Sequence, residues 1–228
     1  ASLTAGFVVQ SGDAAGDTYT SIENLQGSNL ADTLIGNTAN NTLSGEDGDD
    51  VLEGYGGADA LAGGSGSDTA SFAHAMGPVT ASLTSGLVTQ GGDALGDTYD
   101  SIENLAGSAF ADTLIGNAST NVLSGGDGDD TLEGIGGDDR YFGGDGSNTV
   151  SYAHASETVT GNGIGVTASL LNPGSNLGAA LGDTYDLIQN LSGSAYDDLL
   201  TGDTGNNILT GDGGDDTLDG GAGSDMLY

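Results

Sequence analysis

A nine-residue repeat constrains the fold of this chain more than any other feature of its sequence. It occupies 27–71, 107–151 and 193–228, which divide into fourteen blocks of nine residues. Every block begins with Gly, has Asp or Asn at its sixth position and has an apolar residue at its eighth. A short period held in phase over so many blocks is typical of a solenoid, in which each repeat buries its apolar face against its neighbours.

The residue types within a block predict a turn followed by a short strand. The first six positions are rich in Gly, Asp and Asn, which favour turns because Gly allows positive φ and Asx side chains bond nearby backbone. The last three positions, such as Thr131–Leu132–Glu133, are expected to form a strand whose eighth residue points inward. The eighth residues are therefore expected to stack into a narrow inner core: Leu34, Leu43, Leu52 and Leu61; Leu114, Leu123, Leu132, Tyr141 and Val150; Leu200, Leu209, Leu218 and Leu227.

A longer repeat encloses the nonapeptide arrays. The segment GDTYTSIENLQGS at 16–28 returns as GDTYDSIENLAGS at 96–108 and as GDTYDLIQNLSGS at 182–194. These segments alternate like strands and are expected to continue the solenoid, with Asn24, Asn104 and Asn190 forming stacked side-chain hydrogen bonds.

The longer repeat divides the chain into three units of one continuous solenoid. The opening ASLTAGFVVQ matches ASLTSGLVTQ at 81–90, so the first unit begins inside its repeat. The third unit carries six extra residues, which we expect in a loop within 161–180 around Pro173. The units are 1–71 with its array at 27–71, 72–151 with its array at 107–151, and 152–228 with its array at 193–228.

The charge of the chain shows that something other than the apolar core must stabilise it. The formal net charge is −33, Arg140 is the single basic residue besides two His, and Leu, Ile, Val and Phe make up only about a fifth of the sequence. Such a composition is that of a disordered chain. A nucleic-acid partner is excluded by the absence of a basic patch, and no apolar run approaches the ~20 residues that span a membrane. Cysteine is absent, so neither disulfides nor a Cys-based zinc site can stabilise the chain. The natural partner for so many carboxylates is a cation.

Blocks such as GGDGDDTLE at 125–133 resemble the RTX, or hemolysin-type, calcium-binding repeat, whose consensus is G-G-x-G-x-D-x-U-x. The resemblance implies an all-β parallel β-roll in which two blocks complete one coil of eighteen residues and Ca²⁺ ions lie in the turns. Adjacent strands are about 4.8 Å apart and calcium–oxygen distances are about 2.3–2.6 Å. One ion held between two oxygens therefore spans nearly one coil.

The resemblance also implies which residues hold the ions. Each ion would take a side-chain oxygen from the sixth residues of two blocks eighteen residues apart, and backbone carbonyls would complete a shell of six to eight oxygens. Eight pairs follow: Asp32 with Asp50, Asn41 with Asp59, Asp50 with Asp68, Asp112 with Asp130, Asn121 with Asp139, Asp130 with Asn148, Asp198 with Asp216, and Asn207 with Asp225. The Asn members carry no charge, so their sites are expected to be weaker, and the alternative is that they are simply turn residues.

Other polar residues have two interpretations each. Asp17, Asp97 and Asp183 of the GDTY segments either bind additional calcium or belong to turns. The fifth-position acids Asp49, Asp129, Asp138, Asp197 and Asp215 are expected to form a solvated face, and Arg140 is expected to be a salt-bridge partner on such a face. His74 and His154 lack HExxH spacing and are expected to pack or cap rather than to catalyse, so no enzyme activity is expected.

These observations predict a calcium-binding module that folds when it binds calcium outside the cell. By resemblance, RTX proteins leave the cell unfolded by type I secretion, which makes this chain secreted or cell-surface bound. Two roles stay open. The first is a structural module of a surface layer, adhesin or extracellular filament, whose partners would be further copies of the repeat. The second is a non-catalytic, calcium-dependent polysaccharide-binding or secretion module of an extracellular enzyme such as an alginate epimerase or a serralysin-type protease.

Overall fold

The structure is a computed structural model that describes residues 1–4, 12–156 and 164–228. The described chain separates into two compact units, Ala1–Ala109 and Phe110–Tyr228. Its secondary structure consists of strands of two to six residues and a few 3-10 turns, and the strands of every sheet pair in parallel. The all-β parallel β-roll expected from the repeat is confirmed. The division into three repeat units follows sequence similarity rather than compactness and stays a prediction.

Unit 1 is built from short strands that follow one another at the nine-residue spacing of the arrays. Two 3-10 turns, Gly12–Ala14 and Gly92–Ala94, accompany them in the described residues. The strands are β1 (Asn24–Gln26), β2 (Thr33–Ile35), β3 (Thr42–Asp47), β4 (Val51–Glu53), β5 (Ala60–Ser65), β6 (Thr69–Ser71), β7 (Thr80–Ser82), β8 (Thr98–Asp100) and β9 (Asn104–Ala106).

Successive strands of unit 1 alternate between two parallel rows. One row runs β1-β3-β5-β8 and the other runs β2-β4-β6-β9. Leu43 pairs with Leu61, and Leu34 pairs with Leu52, so equivalent block positions lie directly above one another at a spacing of eighteen residues. The predicted two-block coil is therefore present.

The GDTY–IENL segment at 96–106 forms a further coil of the same roll, as expected. β8 pairs with β5, placing Tyr99 beside Leu61, and β9 pairs with β6, placing Leu105 beside Ala70. The intervening residues form β7 and the 3-10 turn, where Thr80 bridges Gly91 in antiparallel fashion. The longer repeat thus inserts a detour without interrupting the stacking of the coils.

Unit 2 repeats this construction with three rows of parallel strands in its described residues: β11-β13-β16, β10-β12-β14-β17-β19-β21 and β15-β18-β20. The strands are β10 (Thr113–Ile115), β11 (Val122–Asp127), β12 (Thr131–Glu133), β13 (Arg140–Asp145), β14 (Thr149–Ser151), β15 (Ile164–Ser169), β16 (Thr184–Asp186), β17 (Asn190–Ser192), β18 (Asp197–Thr201), β19 (Ile208–Thr210), β20 (Thr217–Asp219) and β21 (Met226–Leu227).

The prediction of a loop within 161–180 is wrong in part. Ile164–Ser169 form β15, which pairs with β18, and 3-10 turns follow at Pro173–Ser175 and Gly178–Ala180. Strand pairing satisfies the backbone here, although the Gly-rich sequence predicted a turn. Residues 161–163, and residues 5–11 of the opening match, lie outside the described residues.

The eighth residues of the blocks form the inner core with two exceptions. Leu43, Leu52, Leu114 and Leu132 are completely buried, and Tyr141 is 1% exposed. Leu218 is only half-buried and Leu227 is 48% exposed, so their predicted burial is wrong. Both lie in the last coils, where no later strand of the chain packs on them. Because the core is one side chain wide, it provides little apolar burial per coil.

Candidate metal sites

The sixth residues of the blocks form a ladder of hydrogen bonds that joins all eight predicted pairs. In each pair, Oδ1 of the later residue accepts the backbone N–H of the residue eighteen positions earlier, at N–O distances of 2.7–3.0 Å. Eleven of the fourteen sixth residues are buried, and Asp32, Asp216 and Asp225 are half-buried. The structure therefore brings together the side chains that the sequence pairs.

The second carboxylate oxygen of many ladder residues has no hydrogen-bond donor. The Oδ2 atoms in question are buried and meet no donor in the described part of the chain; they belong to Asp50, Asp59, Asp68, Asp130 and Asp139. Burying a polar group without a hydrogen bond costs roughly 2–7 kcal/mol, and an unpaired charge costs more. A bound cation would offset this cost at each of these turns.

The first Gly of a block lets the sixth residue's side-chain oxygen and a carbonyl of the next coil approach one point. A Cβ atom on Gly45 would collide with Asp50 Oδ2 and would lie 2.6 Å from the carbonyl oxygen of Gly63, in the next coil. The same two kinds of oxygen converge on Gly125, where they come from Asp130 and Gly143. Carboxylate and carbonyl oxygens are the ligands that Ca²⁺ prefers, so these residues fit the ion.

Backbone carbonyls would have to supply most of the coordination shell of each calcium ion. Within 1–4, 12–156 and 164–228, no group of three or more His, Asp or Glu side chains is placed to hold a metal ion. A site here would therefore combine the side chains of one pair with the Gly-rich backbone of its turns, as the resemblance implies.

The family comparison agrees with this geometry. The family model for the RTX calcium-binding nonapeptide repeat (4 copies) matches residues 26–61, 35–70, 97–132, 115–150 and 192–227, which together exceed half of the chain. The chain belongs to the RTX repeat family. RTX nonapeptide repeats bind Ca²⁺, and they form a structural module rather than a catalytic one. A search of curated proteins found no match.

The turns of this RTX chain are of two kinds, and the sequence did not distinguish them. In open turns, the second residue of the block is left-handed even where it is not Gly, with φ of 80° at Glu46, 67° at Tyr55 and 80° at Ile135. A left-handed conformation costs about 1–2 kcal/mol for an L-residue. Open turns with such a residue begin at Gly45, Gly54 and Gly134, and open turns whose second residue is a left-handed Gly begin at Gly63 and Gly125. Their sixth residues are those with an unpartnered Oδ2: Asp50, Asp59, Asp139, Asp68 and Asp130. Asp212 is also left-handed, at φ 69°, but the sixth residue of its turn, Asp216, is only half-buried.

In closed turns, the sixth residue bonds its own turn. Asn41 Oδ1 accepts the N–H of Asn37 at 2.7 Å, and Asn207 Oδ1 accepts the N–H of Asp203 at 2.8 Å. Asn41 Nδ2 also donates to the Glu23 carbonyl at 2.9 Å. These amides are satisfied without a metal, which supports the expectation that the Asn positions bind calcium weakly or serve as turn residues.

Burial perturbs the open carboxylates. It raises the pKa of Asp59 and of Asp130 to about 6 and that of Asp139 to about 7, and neighbouring carboxylates add to the shift. The pKa values of Asp50 and Asp68 are raised for the same reasons, while the ladder hydrogen bonds oppose the shift. A bound cation would favour the ionised form at each position.

The fifth-position acids are exposed, as expected, and they have an additional role that the sequence did not predict. Asp49 Oδ1 accepts the N–H of Ser67 at 2.9 Å, and Asp129 Oδ1 accepts the N–H of Ser147 at 2.8 Å. This outer ladder runs opposite to the inner one, because here the earlier residue is the acceptor. The recurrence of Asx at the fifth position was the available signal.

The remaining charged residues lie outside the candidate metal sites. Nδ1 of His74 contacts Oε2 of the buried Glu53 at 2.8 Å, and His154 contacts Glu133 in the same way. Arg140 lies over the ring of Phe142 at 5.4 Å and forms no ion pair with the described carboxylates, so the predicted salt bridge is wrong. No helix of the described residues is long and apolar enough to cross a membrane.

Proposed function

We propose that this chain is a calcium-folded structural module of a secreted or cell-surface RTX protein, with one ion at each of the eight ladder pairs. The observation that carries the proposal is the unpartnered, buried Oδ2 of Asp50, Asp59, Asp68, Asp130 and Asp139. These atoms recur at the turns, and those of Asp50 and Asp130 lie near a glycine carbonyl of the following coil.

The energetics of the chain make calcium necessary for folding rather than an accessory to it. The formal charge is −33, and eight divalent ions would reduce it to −17. The core is one side chain wide, so apolar burial alone does not offset the repulsion and the loss of chain entropy. Because the turns are not formed in the unfolded chain, the free energy of calcium binding becomes folding free energy.

The pairs are expected to differ in affinity. Asp50 with Asp68 offers two buried carboxylates whose Oδ2 atoms are both unpartnered. In contrast, Asn41 with Asp59 and Asn121 with Asp139 each include a neutral amide, and Asn41 already bonds its own turn. Asp32 and Asp198 also bond their own turns, through Ser28 and Ser194. We therefore expect Asp50 with Asp68 to fill before the pairs that contain Asn.

A calcium titration followed by far-ultraviolet circular dichroism tests the proposal. The chain should be largely disordered in EDTA and should gain a β spectrum as calcium is added, while equal magnesium should have little effect because Mg²⁺ demands rigid octahedral coordination. A β spectrum of full intensity in EDTA would overturn the proposal.

The extracellular role proposed here is structural. The sequence has one Arg and no Lys, and that Arg lies over Phe142, so the chain offers little to bind an anionic polysaccharide. Electron microscopy tests this role: assembly into long objects in calcium and dispersal in EDTA would support it, and retention of a monomeric chain on an alginate column would contradict it.

A further inference from the structure

Asp97 belongs to the GDTY segment, outside the nonapeptide arrays, yet it extends the inner ladder of unit 1. Its Oδ1 accepts the backbone N–H of Asp59 at 2.9 Å, although the two residues are 38 positions apart. Asp97 is 4% exposed and Asp59 is 1% exposed. The Oδ2 atoms of both residues are buried without a donor among the described residues. After the residues that include β7, the chain therefore places the Asp97 carboxylate where the sixth residue of a following block would lie in the ladder.

We propose that Asp59 and Asp97 hold a further calcium ion, in addition to the eight pairs of the arrays. This inference rests on the proposed function, because the site would belong to the same calcium-folded roll. It differs in that one of its two carboxylates comes from the segment between the arrays.

Other unpartnered oxygens lie beside Asp97. A cavity of about 150 Å³ is bounded in part by Ser82, Gln90, Asp97 and Tyr99. Gln90 Nε2 donates to the carbonyl oxygen of Asp97 at 2.8 Å, while Gln90 Oε1 and the Tyr99 hydroxyl are buried without a partner in the described chain. Asp59 does not line this cavity, so the cavity lies beside the two carboxylates rather than between them, and Gln90 and Tyr99 are the neutral oxygen ligands nearest to Asp97.

The charge around the site is also suited to a cation. Burial, together with the carboxylates of Asp59 and Asp93, raises the pKa of Asp97 to about 7. Asp93 lies in the 3-10 turn at Gly92–Ala94, and its charge also raises the pKa of Asp59. The carboxylates of Asp59, Asp93 and Asp97 therefore influence one another.

Unit 2 contains the equivalent aspartate in a different environment. Asp183 Oδ1 accepts the N–H of Asp139 at 2.9 Å, which repeats the ladder bond of Asp97. Its Oδ2, however, accepts the hydroxyl of Tyr152 at 2.9 Å and that of Tyr141 at 3.4 Å. The Tyr141 hydroxyl also accepts the N–H of Gly134 at 3.0 Å. Tyrosine hydroxyls thus bond Oδ2 of Asp183, the counterpart of Asp97, whereas Oδ2 of Asp139 stays without a donor among the described residues, like that of Asp59.

Three differences between the two units account for this change. Leu61, Phe72 and Asp93 of unit 1 correspond to Tyr141, Tyr152 and Ala179 of unit 2. Unit 2 has therefore gained the two hydroxyls that bond its aspartate. It lacks the carboxylate of Asp93 but has Asp138, whose counterpart in unit 1 is Ala58, close to Asp183. The tyrosine hydroxyls are thus the difference that occupies Oδ2 of Asp183 and leaves Oδ2 of Asp97 open.

Calcium stoichiometry in two matched variants of the full chain tests the inference. Asp97→Asn should bind one ion fewer than the parent chain by isothermal titration and by metal analysis after gel filtration, whereas Asp183→Asn should bind the same number as the parent. If the parent binds calcium and Asp97→Asn retains every ion, the inference alone is overturned. If the parent binds no calcium, the proposed function fails together with it.

A second set of variants guards against simple misfolding. Leu61→Tyr with Phe72→Tyr copies the closure of unit 2 into unit 1 and should remove one ion while the β spectrum in calcium is kept. Tyr141→Leu with Tyr152→Phe and Ala179→Asp copies the open site into unit 2 and should add one ion. Unchanged stoichiometry in both folded variants would overturn the proposal.

Discussion

Asp68 Oδ1 accepts the backbone N–H of Asp50 at 2.8 Å, while Oδ2 of each residue is buried without a donor in the described chain. The two oxygens of one carboxylate therefore have different roles. Oδ1 fixes the register of successive coils, and in the proposed function Oδ2 binds the cation. On that proposal one side chain performs both roles, so coil stacking and metal binding would be coupled.

Replacing a ladder carboxylate should weaken calcium-dependent folding far more than replacing its exposed neighbour. Asp50→Asn keeps an oxygen for the ladder but turns the charged oxygen into an amide, so we expect the unfolding free energy in calcium to fall by about 1–3 kcal/mol. Asp49→Asn removes one exposed charge and should change it by less than about 0.5 kcal/mol. Urea unfolding of both variants in calcium measures the difference, and equal effects would show that Oδ2 holds no ion.

The first Gly of an open turn should tolerate no side chain. A methyl group on Gly125 would collide with Asp130 Oδ2, so Gly125→Ala should destabilise the calcium form by roughly 1–3 kcal/mol. Gly136→Ala is the matched control, because nothing lies within 4 Å of the place its Cβ would take. Thermal unfolding in calcium compares the two. A Gly125→Ala chain as stable as the control would argue against this close approach of Asp130 Oδ2 to the first Gly of the turn.

The chain without metal should be more stable in mild acid than at neutral pH. Burial raises the pKa of Asp97 and of Asp139 to about 7, above the ordinary 3.8, so the folded state binds more protons than the unfolded state between those values. The unfolding free energy in EDTA should therefore fall as pH rises from 4 to 7. The β content in EDTA should be greater at pH 5 than at pH 8. A greater content at pH 8 would contradict the assignment of these carboxylates as buried without a partner.

Removing a histidine should affect stability without changing calcium stoichiometry. His154 contacts the buried Glu133 through Nδ1 at 2.8 Å, and its backbone N–H donates to the same carboxylate at 2.7 Å. His154→Ala should cost about 1–2 kcal/mol, since Glu133 loses one of these hydrogen-bond partners. Metal analysis of the folded variant should give the parent value, and the loss of an ion would assign this histidine to a metal site.

The nonapeptide period was sufficient to predict the fold and the pairing of the candidate ligands. A period of nine residues with an inward eighth position sets the stacking of Leu43 under Leu61, and the same spacing places Asp50 against Asp68. The burial of Leu227 was predicted wrongly. The period predicts which face of the strand a residue occupies, but not whether another strand covers that face.

Two features of the sites were beyond the sequence. The left-handed backbone at Glu46 and Tyr55 replaces the second Gly of the consensus, and residue type alone gives no sign of positive φ there. The sequence left Asp97 as either a calcium ligand or a turn residue, because its position in the ladder depends on how the chain returns from β7, which a spacing of 38 residues conceals. Both depend on tertiary stacking rather than on local pattern.

The dependence of unfolding on free calcium tests the central claim most directly. If ions at the ladder pairs stabilise the fold, the unfolding free energy should rise steadily with the logarithm of calcium concentration, and the slope should correspond to the release of several ions on unfolding. Asp50→Asn should reduce that slope, whereas Asp49→Asn should leave it unchanged. An unfolding free energy that does not change between EDTA and millimolar calcium would contradict the claim that this roll is folded by its metal.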